Sequence, residues 1–445
     1  MRRVITNEAG VEDVAVVHNI KQRAHVLNSK ADLQPLIDRI GDASIVMLGE
    51  ASYGTHEYYT WRAHITTRLI EEKGFNFIAV EGDWQDCYKL NRFIKGYDTT
   101  YTSAFKALNT LNHWPTWMWS NWEMVALAFW LKEHNAGLPV NKRIGFYGLD
   151  VYSLWESRKN ILDFLKKYDS SAFRTAREAF DCFEPYKKEG ASFNRKEMQI
   201  VPDKFENEVV HLLKRIQQQM PCYHSDYESK FQEEQKALMS INADRYYRSM
   251  IKGGQDSWNM RDRHMADIMA KLLTFHGENS KVIIWQHNAH IGDARATELV
   301  NEGMFNLGEL ARLQYKDKGV VLVGFGSNEG TVTASKSCGA KMQTMQMPEA
   351  LRGSWENLLH QAGKQNKLLI MDDFSNIDML MENYILHRVV GLDYHPAYEH
   401  YANYIPCILP LTYDAFIYLD KTVALYPIHN HQKGAQIPET YPFGM

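Results

Sequence analysis

The chain has 445 residues, enough to bury a large core and to build more than one folding unit. Its formal net charge of −4 leaves no global basic field, which argues against a nucleic-acid partner. No apolar run approaches the roughly 20 residues that span a bilayer, so no membrane partner is expected either.

The N-terminus, Met1 to Glu8, carries two arginines but no apolar stretch after them, so it does not read as a signal peptide. Asp32 precedes Leu33, Leu36, Ile37 and Ile40, with Gly41 after them; this predicts a helix capped by Asp32 and stopped by the glycine. Ile45 to Leu48 reads as a buried strand running into Gly49 and Glu50. A helix is predicted from about Thr55 to Lys73, with Tyr58, Trp61, Ile65 and Leu69 as its apolar stripe and Gly74 as its stop. The next strand, Phe77 to Val80, runs into Glu81. Strand, helix and strand make a βαβ unit, hence a parallel pair with both acids on one rim.

Five tryptophans fall between Leu111 and Trp130, and Trp114, Trp117 and Trp119 read as a loop before a helix capped by Ser120 and Glu123. A third strand, Arg143 to Leu149, ends on Asp150. From about Ser153 to Phe275 glycines are few and no strand pattern appears. Val209, Val210, Leu213 and Ile216 repeat at helical spacing, as do Met265, Ile268, Met269 and Leu272, with a break at Gly253-Gly254. A fourth strand, Lys281 to Gln286, ends on His287-Asn288-Ala289-His290. Later strand candidates are Val320 to Gly326, Leu368 to Met371 and Phe416 to Leu419. The order divides the chain into a first α/β part (1–152), a mostly helical insertion (153–276), and a second α/β part with small α+β elements (277–445). The five cysteines are odd in number and contain no CxxC, which predicts reduced thiols and a cytoplasmic protein.

Glu50, Glu81, Asp150, His287 and His290 all stand at strand ends. In open α/β sheets the ligand crevice lies at that edge. Two carboxylates with two histidines suit either a divalent metal or metal-free acid–base work, in which carboxylates orient histidines that activate water. Arg62, about two turns into the helix after Glu50, is either a solvated arginine or a clamp for an anion or carbonyl. No G-x-S-x-G elbow, P-loop or GxGxxG occurs.

Five motifs together resemble the erythromycin esterase family, which also contains proteins labelled succinoglycan biosynthesis proteins. They are Leu48 to Glu57, Val80 to Trp84, Trp114 to Trp119, Gly148 to Ser153 and Gln286 to His290. The resemblance implies an α/β core, a mostly parallel central sheet flanked by helices, with a helical insertion and a smaller α+β lobe. It implies hydrolysis of a cyclic ester by water activated at a histidine, with no metal, cofactor or covalent intermediate. Glu50, Arg62, Glu81, His287 and His290 match the family's site residues. The family's first motif reads G-E-x-x-H-G, and its histidine is the general base; here that place holds Tyr53, and a phenol with a reference pKa of about 10 is a poor base near neutral pH. The catalytic set expected is therefore Glu50, Glu81, His287, His290 and His56, with His56 as a compensating base. Arg62, Tyr53, Trp117, Trp119 and Asp150 are expected to bind a small-molecule substrate. The alternatives are a metal-dependent hydrolase at the same rim and a catalytically weak binding or exopolysaccharide-metabolism protein.

Overall fold

A computed structural model describes residues 11–111, 115–150, 255–336 and 340–429, together with Glu228, Phe231, Gln232 and Gln235. The strands are β1 (His25–Val26), β2 (Ile45–Leu48), β3 (Phe77–Asp83), β4 (Gly145–Asp150), β5 (Val282–Trp285), β6 (Val320–Ala334), β7 (Gln343–Met347), β8 (Lys367–Ile370), β9 (Ile385–Arg388), β10 (Tyr404–Cys407) and β11 (Ala415–Thr422). Nine of them form one sheet in the order β1-β8-β11-β6-β2-β5-β3-β4, with β7 on the far end of β6. From β11 to β4 every neighbouring pair is parallel. β9 and β10 make a separate antiparallel pair.

The central strands are apolar along their length because both faces are covered. Val46, Leu48, Ile78, Val80, Ile283 and Trp285 face one core; Ile45, Met47, Phe77, Ala79, Val282 and Ile284 face the other. Side chains alternate across a strand, so each four-residue run feeds both layers and leaves no polar position until the strand ends. The acids and histidines therefore collect at the rim.

Several readings of the sequence are corrected. β2 and β3 are parallel but not neighbours: β5 lies between them. The connecting helix, His56–Lys73, covers that central strand, where Trp285 donates to the Thr66 hydroxyl at 3.0 Å. The consequence is chemical, since the turn after β5 is inserted between Glu50 and Glu81. Helix starts also differ. Asn121, not Ser120, caps Trp122–Ala136, accepting from the Met124 N–H at 2.8 Å, while Ser120 donates to the Leu108 carbonyl. Asp32 accepts from the N–H groups of Asn28 and Ser29 at the start of a short 3-10 turn, and the helix proper is Gln34–Ile40. Thr116–Trp119, expected as loop, is one helical turn. The predicted repeat at 209–216, Gly253-Gly254 and Trp114 lie outside the described residues. Gln255–His276 is a single helix that brings Met265, Ile268, Met269 and Leu272 onto the sheet. Among the described residues no helix is long and apolar enough to cross a membrane.

Candidate active site

Glu50 and Glu81 reach the same rim by different means. Glu50 follows β2 directly, after Gly49, where an added Cβ would run into the Asn288 side chain. Glu81 sits in a register shift between β3 and β4, one extra residue on β3 between Val80 and Asp83. Such a bulge re-aims a side chain at a strand end. The Glu50 carbonyl then accepts from the Asn288 N–H at 2.9 Å, and the His287 N–H donates to Glu81 Oε2 at 3.0 Å. The β5 turn is thus bonded to both neighbouring acids.

Glu81 is the hub. Its Oε1 accepts from the Tyr53 hydroxyl at 2.8 Å and from Arg261 Nη2 at 2.6 Å, with His290 Nε2 at 3.5 Å. Burial would raise its pKa, but His290, Arg261 and the His287 N–H overcome burial and hold it at about 2. Among the described residues Glu50 has one donor, Arg62 Nη2 at 3.0 Å. There burial dominates, Arg62 only partly offsets it, and the neighbouring Glu81 charge adds to it, so the pKa rises to about 8. Arg62 is fully buried, stacked over Tyr59 and Trp285, and among the described residues its Nε and Nη1 have no hydrogen-bond partner. Two buried, unused donors are costly to maintain and suit a carbonyl or developing oxyanion.

The histidines separate into distinct environments. His290 Nδ1 donates to Asp262 at 2.9 Å, its ring stacks on Trp258 at 4.6 Å, and Nε2 accepts from Arg261 Nη1 at 2.9 Å. Burial pulls its pKa down, and Asp262 and Glu81 more than reverse that, leaving it raised. His287 stacks on Tyr53 at 4.5 Å; its Nε2 donates to the Val390 carbonyl and its Nδ1 accepts from the Ala289 N–H. Burial lowers its pKa to about 4. Both its nitrogens meet backbone groups and the ring is neutral near pH 7. His56 does not join the rim. Its Nδ1 is 2.6 Å from Glu123 Oε1 and its ring meets Tyr426 edge-on, because the first turn of its helix faces the Trp122–Ala136 helix. The expected compensating base is therefore displaced.

Of the residues expected to bind substrate, Trp119 borders a cleft of about 380 Å³ of empty space, part of it open to solvent, along with Glu81, Asp83, Thr116 and Met118. Its indole donates to the Glu81 carbonyl at 3.1 Å. Trp117 is buried in the core instead. Asp150 is tied to Arg261, with Nε at 3.2 Å and Nη2 at 2.5 Å. Tyr53 stands on a turn locked from behind, since an added Cβ at Gly54 would run into the Thr333 carbonyl oxygen. Among the described residues no three His, Cys, Asp or Glu side chains are grouped to share a metal ion.

Three contributors escape a reading of the sequence: Trp258, Arg261 and Asp262, all on Gln255–His276. One signal was available. Asp262 lies three residues before Met265 and seven before Met269, so a carboxylate occupies the buried stripe of that helix.

An erythromycin esterase family model matches residues 70–422. The chain belongs to the erythromycin esterase family. The matched span contains Glu81, Asp150, Arg261, Asp262, His287 and His290 and starts after Glu50, Tyr53 and Arg62. Among its relatives is an erythromycin esterase type II from Escherichia coli, 24% identical over 369 residues, 78% of this chain and 84% of that one. Two solved structures share the fold at 20% identity: a succinoglycan biosynthesis protein (TM-score 0.68, 94% of this chain, all of the other) and a protein from Bacillus cereus (TM-score 0.71, 94% and 99%). An erythromycin esterase mutant, EreC, in its open conformation matches at 14% identity with a TM-score of 0.62, over 90% of this chain and 97% of that one. Membership of this family supports a hydrolase.

Proposed function

We propose that this chain hydrolyses a small ester or lactone by direct attack of water, with His290 as proton acceptor. The observation that carries this reading is the Asp262–His290 pair. A carboxylate holds Nδ1–H, fixes the ring, and leaves the Nε2 lone pair toward Glu81 at the rim. A base oriented by a third group is the recurring arrangement for activating a nucleophile. Of the three histidines expected to act, His56 is turned away and His287 is fixed between backbone groups with its pKa lowered to about 4, whereas His290 is oriented by a carboxylate, has a raised pKa, and has its Nε2 met by a side chain, Arg261, rather than by backbone.

The rest of the rim fits the same reaction. The substrate carbonyl would lie on the unpartnered Nε and Nη1 of Arg62, where negative charge on the tetrahedral oxygen is stabilised. Water would approach Nε2 as Arg261 Nη1 gives way, and the proton held there would pass to the leaving alkoxide. Glu50, mostly protonated near neutral pH, would keep a second negative charge away from the incoming nucleophile. Tyr53, in the place of the family's base, donates its hydroxyl to Glu81 and would face the substrate. No metal takes part in this scheme.

The test is hydrolysis by the purified native chain across a panel of lactones and activated esters, with and without a chelator, beside Tyr53→His. The expected result is chelator-resistant turnover of at least one substrate. Tyr53→His should raise kcat on activated esters by up to about 10²–10⁴-fold, the usual worth of a general base. A panel hydrolysed by neither protein contradicts the proposal and favours a binding role; turnover abolished by the chelator favours a metal-dependent hydrolase.

A further inference from the structure

Glu81 and Asp150 come from adjacent parallel strands, and one nitrogen, Arg261 Nη2, lies 2.6 Å from the first and 2.5 Å from the second. Two buried carboxylates this close repel each other unless a cation stands between them. The imidazole of His290 arrives at the same point from the turn after β5, and Arg261 Nη1 donates to its Nε2. All three guanidinium nitrogens are used: Nε on Asp150, Nη2 on Asp150 and Glu81, Nη1 on His290. Acids and an imidazole converging on one centre are a donor set that elsewhere gathers around a divalent ion. Here the centre is a guanidinium supplied by the Gln255–His276 helix.

We propose that Arg261 is the built-in cation of the site, a positioning residue that gathers Glu81 and Asp150 and holds His290 with its Nε2 lone pair at the rim. A guanidinium can only donate. While it is docked on Nε2 the ring is therefore the neutral Nδ1–H tautomer, the form able to accept a proton. The planar fork explains the choice of arginine, since an ammonium is a point charge that cannot bridge both acids and the imidazole in one plane. Among the described residues, the groups facing His290 are Asp262 and Arg261 from that helix, Glu81 from β3 with Asp150 from β4 behind Arg261, and His287 from its own turn. Arg261 is the cation that opposes protonation at Nε2, and it also restrains the acids that favour it.

The bearing of this role on hydrolysis rests on the function proposed above; the test does not. The His290 ring is followed by NMR in histidine-labelled protein, assigned by its loss in His290→Asn, and titrated in native protein and in Arg261→Ala. The variant should move the His290 midpoint up by roughly one pH unit or more, the size expected for losing an adjacent like charge. Millimolar guanidinium chloride, well below denaturing levels, should bring it back toward the native value, while sodium chloride at equal ionic strength should not. A midpoint that does not move in Arg261→Ala overturns the proposal, and so does a shifted midpoint that guanidinium leaves unchanged. If Arg261→Ala does not fold, Arg261→Gln, neutral and of similar length, is read by the same criteria. No turnover is needed for these readings, so a chain that hydrolyses no ester leaves them standing.

Discussion

Glu50 and Glu81 are the same residue type, equally buried, at the ends of parallel strands with one strand, β5, between them. One is pushed up to about 8 and the other held at about 2. Distance from solvent does not separate them; the donors do. Among the described residues Glu50 has a single arginine nitrogen, while Glu81 has a phenol, an arginine and a backbone N–H. A carboxylate that accepts several hydrogen bonds stays ionised in a dry site, and one that accepts few does not. The rim thus holds one permanent negative charge and one proton-bearing carboxyl without any difference in burial.

That contrast predicts unequal costs of substitution. Glu81→Ala leaves Arg261 short of an acceptor and Asp150 without its neighbour, and breaking a buried pair in this way costs about 3–5 kcal/mol. Glu50→Gln is expected to cost under about 1 kcal/mol at neutral pH, because the native carboxyl is already largely uncharged and the amide can still accept from Arg62. Denaturant unfolding of both variants checks this. Equal losses would mean that the two acids share one protonation state.

The pH dependence of stability sharpens the same comparison. The Glu81 pKa is depressed, so its contribution is present above the unfolded value near 4.5 and is lost as pH falls from there toward 2. The Glu50 pKa is raised, so its contribution is full below about 4.5 and is lost as pH rises toward 8. Native protein should therefore lose stability between pH 5 and 8 relative to Glu50→Gln, by several kcal/mol, since each pH unit between the two pKa values is worth about 1.4 kcal/mol. Parallel unfolding curves for the two proteins over that range would contradict the assignment.

Both acids were legible in the sequence, because a four-residue apolar run that feeds two cores must place its first polar residue at the strand end. The same reasoning found His287 and His290 after Val282 to Trp285. What separates Glu50 from Glu81 was not legible. The β3 register shift, the insertion of β5 between β2 and β3, and the approach of Arg261 and Asp262 from a helix more than a hundred residues after β4 are long-range events that leave no local period. His56 shows the same limit from the other side. Its spacing after Glu50 suggests a substitute base, yet its partner, Glu123, sits in the first turn of a distant helix and reads in the sequence as part of a cap.

The account turns on which group accepts the proton, and the pH dependence of kcat/KM answers that most directly. On the best substrate of the panel, native protein should show an ascending limb at or above the ordinary imidazole value of about 6.5, since burial is outweighed at His290 by Asp262 and Glu81. His290→Asn should remove the limb and lower kcat/KM by about 10²-fold or more. Glu50→Gln should leave it in place. A limb near pH 8 that survives His290→Asn and disappears in Glu50→Gln would contradict the account and give the base role to Glu50.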